Sequence, residues 1–167
     1  MTRLLILCLL LTGCRSCAER RAERAYSAAR DELSPALDIE PVEVLAEQVE
    51  RDDGGVEAWG DARSARLVVP DGWTLTFDTT FPDWSYDVAD GRCPDDVPLV
   101  GPLEAFAAPL TSDANATLSV LAGGCDSDGD DIRGTYDAGF TLDVEAANDG
   151  GDVYQLTLAV PVVLTIE

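Results

Sequence analysis

The stretch FTLDVEAANDGGDVYQLTLAVPVVLTI, residues 140–166, decides the fold of this chain. Apolar and polar side chains alternate from Phe140 to Glu145, and apolar residues then occupy the seven even positions between 154 and 166. A period of two residues is typical of a strand with one buried face. The Asn-Asp-Gly-Gly sequence at 148–151 is a turn signal. The stretch therefore predicts two long strands joined by a tight turn.

Pro161 lies inside the second of these strands. A proline has no backbone N–H and cannot donate to the ladder of a sheet. We therefore expect an edge, a bulge or a switch between sheets at this position.

The same period of two residues recurs upstream. Trp73, Leu75 and Phe77 share one side of a strand, and the turn Pro70-Asp71-Gly72 precedes it. This turn predicts a hairpin with residues 66–69. Residues 102–108 fit a short helical turn instead. Two further alternating sets are Trp84, Tyr86 and Val88, and Leu118, Val120 and Ala122.

About seven short strands, separated by turns rich in Gly, Pro and Asp and without a βαβ rhythm, indicate a mainly β protein. The prediction is an antiparallel β-sandwich or small barrel over residues 61–167, preceded by a short helical stalk. Residues 18–33 form the first part of this stalk because Ala, Arg and Glu are good helix formers. Ser34-Pro35 is expected to end that helix. A second short helix is predicted at 41–51 from apolar positions spaced i, i+3 and i+7: Val42, Leu45 and Val49.

Charge and composition exclude several chemistries. The chain has 32 acidic residues and 11 basic ones, with no histidine, and every basic residue is an arginine. Triads that need histidine, lysine Schiff bases and imidazole metal ligands are therefore absent. A general acid or base would have to be a carboxylate, a tyrosine or a thiol. No catalytic residue set emerges, and we infer no catalysis from the sequence.

The charge is unevenly distributed along the chain. Residues 15–30 contain five arginines and two glutamates, whereas residues 31–167 contain thirty acidic residues and five arginines. A domain this acidic repels a phosphate backbone, so nucleic acid is not an expected partner. Cations or basic partners are compatible with it. The simpler interpretation is solubility.

The N-terminus has the features of an export signal. Arg3 precedes an apolar run at 4–11, which is far shorter than the roughly 20 residues of a spanning helix. Leu11-Thr12-Gly13-Cys14 resembles the lipobox of bacterial lipoproteins: an aliphatic residue, a small residue, Gly or Ala, and then Cys. In that family a diacylglycerol is attached to the cysteine sulfur, and the signal is removed just before the cysteine.

The resemblance implies a domain organisation and a location. Residues 1–13 would be the signal peptide, residues 14–60 the lipidated Cys14 with its partly helical tether, and residues 61–167 the β domain. Acyl chains on Cys14 would hold the protein at a membrane, because several chains together give stable attachment. Arg15 is not the aspartate that favours inner-membrane retention in well-studied members. The resemblance therefore favours the outer membrane.

Two alternatives compete for the same residues. Cys14 and Cys17 are spaced as a C-x-x-C redox motif, although that motif is expected after a strand inside a βαβ unit. An ordinary signal peptidase would instead cut after Ala18, which has small residues before it. That cut would release a soluble secreted or periplasmic protein.

The remaining cysteines predict a disulfide. Cys8 belongs to the signal, whereas Cys93 and Cys125 both lie in turn-like contexts of the β domain. Disulfides persist in exported proteins, and closing this loop would stabilise the fold by about 3–4 kcal/mol. The alternative is two separate buried thiols. Cys17 is left over, either free or forming a dimer.

That disulfide would bring together six carboxylates: Asp95, Asp96, Asp126, Asp128, Asp130 and Asp131. The spacing of Asp126, Asp128 and Asp130 is the 1, 3, 5 spacing of a calcium loop. Position 6 is Asp131 rather than glycine, and the flanking residues predict strands, so the loop is not an EF-hand. A looser calcium site remains the alternative to a solvated loop.

Three functions follow from these observations. The first is a lipid-anchored envelope lipoprotein whose β-rich module binds an unknown protein or glycan or plays a structural role. The second is a small envelope hydrolase that uses paired carboxylates, for which we have no specific pair. The third is a calcium-dependent adhesion or assembly module.

Overall fold

A computed structural model describes residues 17–78, 97–104, 109–112 and 116–167. The chain is mainly β and divides into two compact units, one ending at Ser34 and the other comprising Pro35–Glu167. Its elements, in chain order, are α1 (Cys17–Leu37), β1 (Val42–Glu50), β2 (Val56–Leu67), β3 (Trp73–Asp78), β4 (Leu99–Glu104), β5 (Leu110–Thr111), β6 (Ala116–Asp126), β7 (Gly134–Asn148) and β8 (Val153–Ile166).

The predicted first helix is α1, and it is longer than expected. The helix continues to Leu37 with Pro35 in its last turn, so the predicted end at Ser34 was three residues early. Proline there removes one backbone hydrogen bond without preventing the last turn. Most of the helix is exposed, whereas Ala29 and Leu33 are buried.

The predicted hairpin at the end of the chain is confirmed. β7 and β8 pair antiparallel from Gly134↔Ile166 to Ala147↔Val153. The even-numbered residues of β8 from Leu156 onward are buried, as their period predicts. In the connecting turn the Asn148 side chain accepts a hydrogen bond from the Asp152 N–H at 2.9 Å. Gly151 has φ 82°, a conformation that favours glycine.

The predicted helix at 41–51 was wrong, because these residues form β1. Val42, Val44 and Ala46 are buried at a period of two. Leu45 and Val49, which suggested a helical stripe, are 62% and 48% exposed. Together with β2, β1 places part of the sheet before residue 61, inside the region expected to be tether.

β1 joins the two halves of the sheet. Its first part, Val42–Ala46, pairs parallel with β8, and its second part, Glu47–Glu50, pairs antiparallel with β2. At the change of partner, Glu167 bridges the backbone: its N–H donates to Ala46 at 2.9 Å and its carbonyl accepts from Gln48 at 2.8 Å. Pro161 lies directly before the segment of β8 that pairs with β1.

The eight strands form one sheet in the order β4-β6-β2-β1-β8-β7-β3-β5, curled into a half-barrel. β6 contacts β8 and β4 contacts β7 across the curl. The short β5 is set aside and the other seven strands are lettered A to G in chain order. The half β1-β2-β6-β4 then has the order A-B-E-D, and the half β3-β7-β8 has the order C-F-G. These are the strand orders of the two sheets in immunoglobulin-type sandwiches. The predicted sandwich or small barrel with a helical stalk is therefore the observed fold class. All pairs are antiparallel except β1 with β8.

The predicted hairpin between residues 66–69 and β3 was wrong. The turn itself forms, with the Trp73 N–H donating to Pro70 at 3.2 Å and Gly72 at φ 78°. However, β2 pairs with β1 and β6, whereas β3 pairs with β7 and β5. The turn carries the chain from one half of the sheet to the other. Pairing with strands that are distant in sequence is therefore preferred over the local pairing of β2 with β3.

The inner faces of both halves form the core. The largest fully buried side chains of the sheet come from five strands and include Val42, Val44, Leu75, Leu118, Val120, Val144, Leu158, Val160, Val162 and Leu164. Residues 102–104, for which a helical turn was expected, belong to β4. The predicted strand at Trp84–Val88 and residues 105–108 lie outside the described residues.

Candidate functional site

The lipobox residues Leu11, Thr12, Gly13 and Cys14 lie outside the described residues. Three positions after Cys14, Cys17 begins α1 with an exposed, free thiol. In the described part of the chain, no helix has an apolar segment long enough to cross a bilayer.

Cys125 lies near the end of β6 and is 1% exposed. It is disulfide-bonded. The neighbouring Gly124 faces Val97, because a Cβ built on that glycine would lie 2.9 Å from a Val97 methyl carbon. Cys93 lies outside the described residues, so its pairing with Cys125 stays a prediction.

The acidic loop after β6 is organised by its own first carboxylate. Asp126 Oδ1 accepts hydrogen bonds from the backbone N–H of Asp128 at 2.9 Å and from that of Asp130 at 3.1 Å. This is a typical use of an aspartate in a turn, where the side chain replaces a backbone acceptor. Gly129, at φ 81°, provides the positive φ that the loop needs.

The last aspartate of the loop turns toward an arginine. Asp131 Oδ1 accepts from the Arg133 N–H at 3.1 Å, and Asp131 Oδ2 lies 3.6 Å from the Arg133 guanidinium. Within the described ranges no cluster of three or more Asp, Glu or Cys is arranged to hold a metal ion. Asp95 and Asp96 fall outside those ranges. Calcium binding therefore stays a hypothesis.

A second polar surface lies on the outer face of β3, β7 and β8. The odd-numbered residues of β7 and β8 point away from the core there, and together with Thr76 they line an open concavity of about 610 Å³. We call this surface the outer polar face; it consists of Thr76, Asp143, Glu145, Gln155 and Thr157.

Cross-strand hydrogen bonds hold both carboxylates of the outer polar face. The Gln155 amide donates to Glu145 Oε2 at 2.9 Å, and the Thr157 hydroxyl donates to Asp143 Oδ1 at 3.1 Å. Each pair occupies directly opposed positions of β7 and β8. The face therefore offers carboxylate, amide and hydroxyl groups to a basic or hydroxyl-rich partner.

Sequence reasoning did not single out this surface. The polar partners of the alternating pattern were visible in β7 and β8, but the contribution of β3 depends on its pairing with β7. Asp143 and Glu145 are also a pair of carboxylates about 7 Å apart along one strand face. They are one pair of carboxylates that the hydrolase hypothesis could use.

Comparisons with known proteins leave the family of this chain open. Its sequence matches no protein-family model, and no curated protein matches it.

Proposed function

We propose that this chain is a lipid-anchored lipoprotein of the bacterial cell envelope, attached to the outer membrane through acyl chains on Cys14. Its β-rich module binds a protein or glycan partner or plays a structural role. The observation that carries the proposal is the tetrapeptide Leu11-Thr12-Gly13-Cys14, whose first residue is the last of an eight-residue apolar run.

The arrangement after Cys14 supports this proposal. α1 begins three residues later and is mostly exposed, which suits a spacer between an anchor and a folded module. A 21-residue helix is about 30 Å long. The outer polar face offers the module a surface for a partner, and no step of catalysis is assigned to it.

A disulfide between Cys93 and Cys125 belongs to the same proposal. Support comes from the bonded state of Cys125 and from the oxidising compartments that exported proteins reach. Peptide mapping without reductant tests it. The expected product is a cross-linked peptide pair containing both residues, and a pair linking Cys125 to any other cysteine contradicts it.

Incorporation of a labelled fatty acid tests the anchor. The full chain is expressed with its own N-terminus in a Gram-negative host, beside Cys14→Ser and the matched control Cys17→Ser. The expected result is label in the wild type and in Cys17→Ser and none in Cys14→Ser. Label that persists in Cys14→Ser, or is absent from the wild type, contradicts the proposal.

A further inference from the structure

The first two turns of α1 carry three exposed arginines beside two exposed glutamates, Glu19 and Glu23, which together give a net charge of +1. Arg20, Arg21 and Arg24 are all exposed, and we call these three residues the arginine face. Arg20 and Arg24 are one turn apart and therefore lie on the same side of the helix. No other segment of this chain has three arginines within five residues.

This face is opposite the buried side of the helix. Ala29 follows Arg20 by nine residues, and Leu33 follows Arg24 by nine residues. Nine residues correspond to two and a half turns, so Arg20 points away from Ala29 and Arg24 points away from Leu33. Ala29 is 5% exposed and Leu33 is fully buried. Arg20 and Arg24 therefore lie on the side of the helix opposite its buried residues.

Charge along the helix changes sign from its beginning to its end. Asp31 and Glu32, both exposed, lie about 16 Å along the axis from Arg20. The chain from the last two turns of α1 onward is strongly acidic, with thirty acids against five arginines in residues 31–167. An anionic surface would repel the β module and attract only the beginning of α1.

We propose that the arginine face binds the anionic head groups of the membrane to which Cys14 is anchored and orients α1 away from that membrane. This inference rests on the proposed lipid anchor. Three residues span at most about 10 Å, so Cys17 can lie no farther than that from Cys14. Arg20 and Arg24 follow within about 11 Å of helix. The arginines therefore lie within reach of the head groups, where each contributes about fivefold in affinity.

Amide hydrogen exchange on vesicles tests this inference independently of cellular lipidation. The mature chain, residues 14–167 with Cys17→Ser, is coupled through Cys14 to a maleimide lipid. The vesicles contain phosphatidylcholine alone or phosphatidylcholine with phosphatidylglycerol. Exchange in residues 17–26 should be about fivefold slower or more on the anionic vesicles at low salt, and high salt should remove this difference.

Two matched charge variants complete the test. Arg20→Gln with Arg24→Gln should reduce the slowing sharply, because only Arg21 of the arginine face is left, whereas Arg63→Gln with Arg133→Gln, two exposed arginines of the β module, should leave it intact. Equal exchange on both vesicles, or undiminished slowing in the first pair, overturns the inference. Because the anchor is supplied chemically, such a failure does not count against lipidation of Cys14 in the cell.

Discussion

The Tyr136 hydroxyl donates a hydrogen bond of 2.7 Å to the backbone carbonyl of Ile132, four residues before it. The N–H of the same Ile132 donates to Gln48 Oε1 at 2.9 Å. Ile132 is buried. Its backbone N–H and its carbonyl are both paired within the protein through these two hydrogen bonds. Tyr136 lies near the start of β7. In immunoglobulin-type sandwiches a tyrosine near the start of the corresponding strand also forms a hydrogen bond with the backbone a few residues upstream.

Removing these two hydrogen bonds should destabilise the fold to different extents. Tyr136→Phe should lower the free energy of unfolding by about 1 kcal/mol, because one hydrogen bond is lost. Gln48→Leu should cost about 1–3 kcal/mol, because it leaves a part-buried N–H without its acceptor. Urea unfolding of both variants measures the two values. Wild-type stability of Tyr136→Phe would show that the Tyr136–Ile132 hydrogen bond does not stabilise the fold.

Gly123 has no room for a side chain. A Cβ at this position would lie 2.1 Å from the Ala58 carbonyl oxygen and 2.7 Å from the Trp59 ring. Gly123→Ala should therefore force the β2–β6 pair apart and cost about 2–3 kcal/mol of stability.

Gly150→Ala is the matched control for this substitution. The nearest atom to its new Cβ would be a side-chain oxygen of Asn148 at 3.2 Å, which can shift. We expect a change within about 0.5 kcal/mol for this exposed turn residue. Thermal unfolding of both variants compares them, and equal losses would contradict the packing described for β2 and β6.

Asp126 should stabilise its loop because its side-chain oxygen accepts hydrogen bonds, and not because it carries a negative charge. Asp126→Ala removes the acceptor for two backbone N–H groups and should cost about 1–2 kcal/mol. Asp126→Asn keeps an oxygen in the same place and should retain most of the stability.

Added calcium distinguishes a calcium-binding loop from a solvated loop that is held by the hydrogen bonds of Asp126. Thermal unfolding of the wild type and of Asp126→Asn is compared with and without millimolar calcium. We expect the same melting temperature for the wild type in both conditions. A calcium-dependent rise in the wild type that is lost in Asp126→Asn would establish the calcium site instead.

The carboxylates of the outer polar face should not be required for stability. Asp143→Asn with Glu145→Gln keeps oxygen acceptors for Thr157 and Gln155 but removes two like charges from one strand face. The double variant should be more stable than the wild type by less than about 1 kcal/mol at low salt, and the gain should disappear at high salt. A loss above about 1.5 kcal/mol, measured by urea unfolding, would mean that these carboxylates hold the fold together.

Local sequence patterns predicted some elements of this fold and missed others for identifiable reasons. The β7–β8 hairpin was predictable because its alternation, turn and pairing are all local. β1 was mistaken for a helix because exposed Leu45 and Val49 completed a helical spacing with Val42. The pairing of β3 with β7 spans about 70 residues of sequence, and no local signal indicates it.

The candidate sites also differ in whether local sequence patterns can predict them. The lipobox is a contiguous motif, so sequence alone identifies it. The outer polar face is assembled from three strands, two of which are distant from the third in the chain. For Asp126, the sequence spacing suggested calcium ligands, whereas the structure shows its carboxylate oxygen accepting two backbone hydrogen bonds.

The intact mass of the mature protein, purified from a membrane fraction, shows both whether Cys14 carries lipid and where the signal is removed. We expect a chain that begins at Cys14 and carries the added mass of a diacylglycerol, with or without an N-acyl group. A chain that begins at Glu19 and carries no lipid would show that the signal is cut after Ala18, and it would contradict the proposed lipid anchor.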